Sequence, residues 1–286
     1  MPLDLSLNLA TVRMQWKLPQ AVEAAARHGF AGVAPWREMV QETGIAESAR
    51  IFKANGMRVT GYCRGGLFGA GGRENLQAAI DDNKRMIDEA AAIAAEGIVI
   101  IGGGLPPGSR DLPAARAVFV EGLAATLPYA RACRVPLALE PMHPIYAADR
   151  GCVTTLREML DIADLLGNDG LGIAIDTYHV WWDPELSIQI ARAGTRIIAH
   201  HICDWLVPTK HLLTDRGMMG DGVIDFRAIR RMVQAAGFHG VQEVEIFSDH
   251  WWGRPGDEVL ATAVERFKTV CQTLRAEHSA ATECST

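Results

Sequence analysis

Short apolar runs alternate with longer helix-patterned segments along nearly the whole chain. No other feature constrains the fold as much. The strand-like runs are Leu3–Leu9, Phe30–Ala34, Arg58–Gly61, Ile98–Ile101, Val135–Glu140, Leu171–Asp176, Arg196–Ile202 and Val241–Phe247. Ala-rich amphipathic stretches such as Arg73–Ala95 and Ala114–Cys133 lie between them. Strand and helix in strict alternation predict parallel strands joined by right-handed crossovers. Eight such units in a chain of 286 residues predict a single α/β (β/α)8 TIM barrel over residues 1–276, with a frayed polar tail over 277–286. An open doubly wound sheet would want a Gly-rich turn after the first strand, and Asn8–Arg13 contains no glycine. Two similar joints, Gly29-Phe30-Ala31-Gly32 and Gly237-Phe238-His239-Gly240, mark helix ends that lead into strands.

Composition narrows the function. The chain is 49% hydrophobic and 22% charged with a net charge of −6, the balance of a globular protein. Mild acidity speaks against a nucleic-acid partner, and no apolar run has the roughly 20 residues of a membrane span. Met1-Pro2-Leu3-Asp4 carries an acid where a secretory signal carries a base, so a cytoplasmic location is expected. The six cysteines contain no Cys-x-x-Cys pair and are expected to be reduced thiols.

The chemistry of such a barrel sits at the C-terminal ends of its strands. The fifth to eighth runs end on Glu140, Asp176, His200-His201 and Glu243-Val244-Glu245. Three carboxylates and one imidazole at four consecutive strand ends form an oxygen-rich set for one divalent metal ion. Burying three acids together without a cation is costly, which favours the same reading. Only one of the adjacent His200 and His201 can face the barrel interior, and strand parity alone leaves that choice open. Glu245, nearer the rim than Glu243, is the expected ligand; Glu243 calls for an ion-pair partner the sequence does not identify.

Several ordered motifs resemble one superfamily. They are Leu139-Glu140-Pro141, Asp176-Thr177-Tyr178-His179, His201-Ile202-Cys203-Asp204, Asp215–Gly222 and Glu243–Ser248. As an ordered set they resemble the xylose isomerase-like TIM barrels, in the sugar isomerase/epimerase branch with ketose 3-epimerases and inosose enzymes. The resemblance implies that Glu140, Asp176, His201 and Glu245 hold the metal. It also implies that Glu140 and Glu245 act as an acid/base pair, and that His179 and Arg216 contact substrate. The implied reaction is isomerisation or epimerisation of a small keto-sugar or cyclitol, with Mn, Mg or Co as the metal and Zn also admitted by the imidazole.

His143, three residues beyond Glu140, is a further substrate-binding or proton-relay candidate. Trp36, Trp181, Trp182, Trp205, Trp251 and Trp252 follow predicted strands and suit a pocket lining, a homo-oligomer interface or both. Trp36 is taken as a substrate contact. Gly102-Gly103-Gly104 reads as a tight turn or an anion cradle. The same proton abstraction could serve a lyase or dehydratase. A DNA-repair endonuclease of the endonuclease IV type would need histidines after the third and fourth strands, and Tyr62-Cys63-Arg64 and Gly102–Gly104 supply none. The loops after the seventh and eighth strands are bulky and acidic, which predicts a substrate without phosphate.

Overall fold

In the computed structural model, residues 3–272 are described, so the tail expected over 277–286 lies outside the described residues. Eleven strands form: β1 (Leu5–Asn8), β2 (Gly32–Ala34), β3 (Arg58–Val59), β4 (Tyr62–Gly66), β5 (Ile98–Ile101), β6 (Leu137–Leu139), β7 (Leu171–Asp176), β8 (Ile197–Ile202), β9 (Asp204–Trp205), β10 (Arg216–Gly217) and β11 (Gln242–Val244). Nine of them make one parallel sheet in the order β3-β2-β1-β11-β8-β7-β6-β5-β4. Its two ends, β3 and β4, are successive pieces of one stave separated by Thr60 and Gly61. Parallel bridges from Val59 to Ala95 and from Trp36 to Cys63 carry each piece to the other side, so the sheet closes into a barrel. The sequence placed the third strand at Arg58–Gly61. The stave runs on to Gly66, because Tyr62 and Cys63 are fully apolar-buried while Gly65 and Gly66 pass close to Ile100 and Ile101.

Helices flank the barrel and bury their apolar stripes on it. Leu156–Leu166 is one example: Thr155 caps it by accepting from Glu158 N, and Leu156, Met159, Leu160, Ile162 and Ala163 are buried at the 3–4 spacing of one helix face. Leu112–Cys133 is capped by Asp111, which accepts from Ala114 N. The glycines read as helix stops behave as such: Gly29 has φ 81° and Gly237 φ 101°, in the left-handed region that costs other residues strain. Gly102–Gly104 is not an anion cradle. A Cβ on Gly104 would stand 2.5 Å from Ala148 O and one on Gly102 2.8 Å from Cys152 Sγ, so the glycines admit the crossing backbone of residues 148–152.

Register decides what faces inward. Across neighbouring staves Ser6 pairs with Glu243, Glu243 with His201, and His201 with Asp176. Residues paired across parallel strands point the same way, so Glu243, His201 and Asp176 form one inward row. His200 pairs with Ile175 and faces outward, buried near Gln242 under the helix Phe226–Ala235.

Candidate active site

A cavity opens at the C-terminal mouth of the barrel, where Glu140 and Glu245 line it beside the inward row. Its wall includes Trp36, Arg64, Glu140, Met142, Tyr146, His179, Arg216, Glu245 and Phe247. Glu140 follows β6 directly, Asp176 ends β7, His201 lies in β8 and Glu245 follows β11, so four staves supply them. All four are buried. Glu140, Asp176 and His201 each offer a ligand atom, and these atoms lie within 4.8 Å of one another. His201 Nδ1 stands 2.9 Å from Glu140 Oε1.

Glu245 stands apart from that trio, engaged by the side chains around it. Arg216 Nη1 donates to Glu245 Oε2 at 3.0 Å and reaches Asp176 Oδ2 at 3.3 Å. The Arg216 guanidinium lies 4.4 Å from the Tyr178 ring centre and 5.1 Å from that of Phe247, which fixes its plane. His179 sits in the single turn Thr177–Val180, with Nε2 3.4 Å from both Asp176 Oδ2 and Arg216 Nη2.

The electrostatics follow from burial and these neighbours. Burial raises Glu140 above the ordinary glutamate range, although His201 pulls the other way. Burial also lifts Glu245 to about 7, against the lowering effects of Arg216 and His201. Burial opposes the charge on Asp176 too, but His179, Arg216 and His201 together hold it below its usual value. Burial drives His179 down to about 3, so it is neutral near pH 7. His201 goes the other way: burial is outweighed by the charges and hydrogen bond of Glu243 and Glu140.

Glu243 has partners after all. Its Oε1 accepts from Asn8 Nδ2 at 2.9 Å and lies 3.7 Å from His201 Nε2, and its Oε2 accepts from Thr60 Oγ1 at 3.1 Å. Asn8 is the residue that sequence reasoning missed. Its Nδ2 also donates to Glu245 Oε1 at 2.9 Å, and its Oδ1 accepts from Trp36 Nε1 at 2.7 Å. One amide thereby ties both glutamates and the tryptophan of the wall. The only signal in the sequence was an asparagine inside the apolar run Leu3–Leu9; in the structure it ends β1 and also caps the next turn, accepting from Ala10 N.

Of the tryptophans after strands, Trp36 alone lines this cavity among the described residues. Trp252 donates instead to Ala10 O and Trp182 to His179 O, so they brace the loops. His143 is also off the wall. It stacks on Trp205 with ring centres 4.6 Å apart and meets Trp182 edge-on, while its N–H donates to His179 Nδ1. This burial holds its imidazole at about 4, far below the usual 6.5. The protein should therefore lose stability as pH falls from about 6.5 towards 4, where the unfolded chain takes up this proton and the folded one does not. Histidine ring NMR is expected to show no His143 titration between about pH 5.5 and 8. A midpoint near 6.5 would remove the claim that the indoles exclude water there.

The same fold occurs in known proteins. A crystallised protein from Sinorhizobium meliloti 1021 is 59% identical, with 94% of this chain and 99% of that one covered at a TM-score of 0.92. The IolI protein with a bound zinc atom is 20% identical, with 94% and 98% covered at a TM-score of 0.81. An inosose isomerase of Bacillus velezensis is 28% identical over 121 residues, which span 41% of this chain and 43% of that protein. No helix among the described residues is long and apolar enough to cross a membrane. The family model for the xylose isomerase-like TIM barrel matches residues 22–270, and with the closed parallel barrel and its acid-lined mouth, this chain belongs to that family.

Proposed function

We propose that the protein is a divalent-metal-dependent isomerase or epimerase of a keto-sugar or cyclitol. In this reading Glu140, Asp176, His201 and Glu245 hold the ion, and Glu140 and Glu245 form the acid/base pair. The observation that carries the reading is the approach of Glu140, Asp176 and His201 ligand atoms to within 4.8 Å, beside a cavity that Glu140 and Glu245 line. Charge supports it. Glu140, Asp176, Glu243 and Glu245 are all buried together, and among the described residues Arg216 is the one arginine paired with any of them. That excess of buried negative charge suits a divalent cation, and three carboxylates with one imidazole suit Mn, Mg, Co or Zn.

When bound, such an ion supplies Lewis acidity to a carbonyl oxygen and a neighbouring hydroxyl. The chain's own residues supply the rest. Glu245, buried in the cavity wall, is the carboxylate placed to abstract and return a proton next to a carbonyl. Asn8 holds its Oε1 and Arg216 its Oε2, so the carboxylate is presented in one orientation. Glu140, also in the cavity lining, is the second proton carrier. His179 stays neutral and can donate or accept at a sugar hydroxyl without adding charge.

The test uses purified protein stripped with a chelator, then resupplied with Mn²⁺ and offered keto-sugars and cyclitols in D₂O. Activity is expected to vanish on stripping and return with metal. Product NMR is expected to show deuterium on the carbon next to the carbonyl. Full activity without divalent metal, or an unsaturated elimination product, would refute the reading.

A further inference from the structure

Two arginines at the neck of the cavity lack the carboxylates that most arginines in this chain possess. Arg37 is held by Glu89 and Asp82, Arg58 by Glu96, Arg196 by Asp164 and Arg216 by Asp176 and Glu245. Arg64, projecting from β4, has no side-chain hydrogen bond or ion pair among the described residues; its guanidinium lies 5.4 Å from the Trp36 ring centre. Arg150 has only its sequence neighbour Asp149, at 3.9 Å, and stands 5.8 Å from the Tyr146 ring centre. Burial, followed by the charge of Arg150, lowers the pKa of Arg64, so the two cations are near enough to repel.

Their place gives this shortage a meaning. Both arginines line the inner cavity that holds Glu140 and Glu245, and both line the outer cleft beside it. Trp36, Leu213 and Phe247 are the other residues shared by the two spaces. The neck is thus an apolar ring carrying two half-buried guanidinium groups. Holding two like charges partly out of water is unfavourable unless an anion joins them. Guanidinium forks match the paired oxygens of a carboxylate or phosphate.

We infer that the substrate carries an anionic oxygen group, carboxylate or phosphate, bound between Arg64 and Arg150 at the end away from the reacting carbons. The inference rests on the proposed function for the identity of the reacting end. It also revises the expectation of a substrate without phosphate. That expectation considered the loops after the seventh and eighth staves, whereas these arginines come from the third stave and the loop after the fifth.

Calorimetric binding to the Mn²⁺-loaded full chain tests it without any need for turnover. The probes are D-fructose, D-fructose 6-phosphate and D-fructuronate, whose carboxylate replaces C6 of fructose. At least one anion is expected to bind tenfold or more tightly than fructose, and added NaCl should erode that preference. Preference for the phosphate or for the acid identifies the group. Arg64→Gln and Arg150→Gln should each reduce the preference over fructose, measured in the same variant, to less than about threefold. Equal binding of all three, no binding of either anion, or a preference that survives both substitutions would overturn the inference. Anion selectivity without deuterium exchange into any keto-sugar would instead defeat the proposed function and leave this site standing.

Discussion

Glu245→Gln is expected to lower kcat by about a thousandfold while the protein still folds. Positioned acid/base groups are worth 10²–10⁴ in rate, and a thousandfold corresponds to about 4 kcal/mol of transition-state stabilisation. The amide keeps the size of the side chain and can still accept from Arg216, but it cannot take up a proton. Its NH₂ also cannot accept from Asn8 Nδ2 if its oxygen faces Arg216, so a modest loss of stability should accompany the change. Metal content must be measured beside the rate. A variant with full metal and no deuterium exchange is the expected result. Retention of more than about a tenth of wild-type kcat would show that Glu245 is not a proton carrier.

Asp204→Ala should be the most destabilising single change near the site, by about 4 kcal/mol. The side chain is completely buried and its carboxylate accepts from four backbone N–H groups: Trp205 at 2.9 Å, Gly220 and Gly222 at 2.8 Å, and Ile224 at 3.1 Å. Removing it leaves the buried Ile224 N–H and the half-buried Trp205 N–H without a partner, each costing about 1–3 kcal/mol, whereas Gly220 and Gly222 are exposed enough to turn to water. The loss should appear as a fall in Tm on the order of 10 °C, and as a lower urea midpoint. Asp204→Asn keeps one acceptor oxygen and should fall between the two. A change below about 1 kcal/mol would mean that water reaches these amides. Because β9 pairs with β10, with Trp205 opposite Arg216 and Asp204 opposite Gly217, this carboxylate also anchors the ribbon that delivers Arg216 to Asp176 and Glu245. Asp204 stands in a motif read from the sequence beside the ligand candidate His201, yet its work in the structure is to hold backbone.

Much of the architecture was legible before any coordinates. Apolar runs such as Ile98–Ile101 and Leu171–Asp176 can satisfy burial on both faces only as barrel staves between helices, and both strands have those bounds in the structure. The acids at strand ends were legible too, because a parallel barrel carries every strand's C-terminal residue to the same mouth. Glu140, Asp176, His201 and Glu245 each sit at the stave end that the sequence indicated.

Side-chain direction and partnership belonged to the tertiary structure. His200 and His201 are the same residue type on one strand; only the pairing of His201 with Asp176 and Glu243 turns the second inward and leaves the first behind the sheet. Glu243 gains Asn8 and Thr60, which are 235 and 183 residues away, through closure of the barrel. The tryptophans divide between cavity wall and loop support according to contacts no local pattern encodes. Arg64 and Arg150 became informative only as a pair, since an arginine's want of a partner is a property of everything around it. The sequence determined which residues reach the mouth, because periodicity and strand ends are local and repeat along the chain. Register, closure and loop crossing decided which of them meet there, because those depend on contacts between residues far apart in sequence.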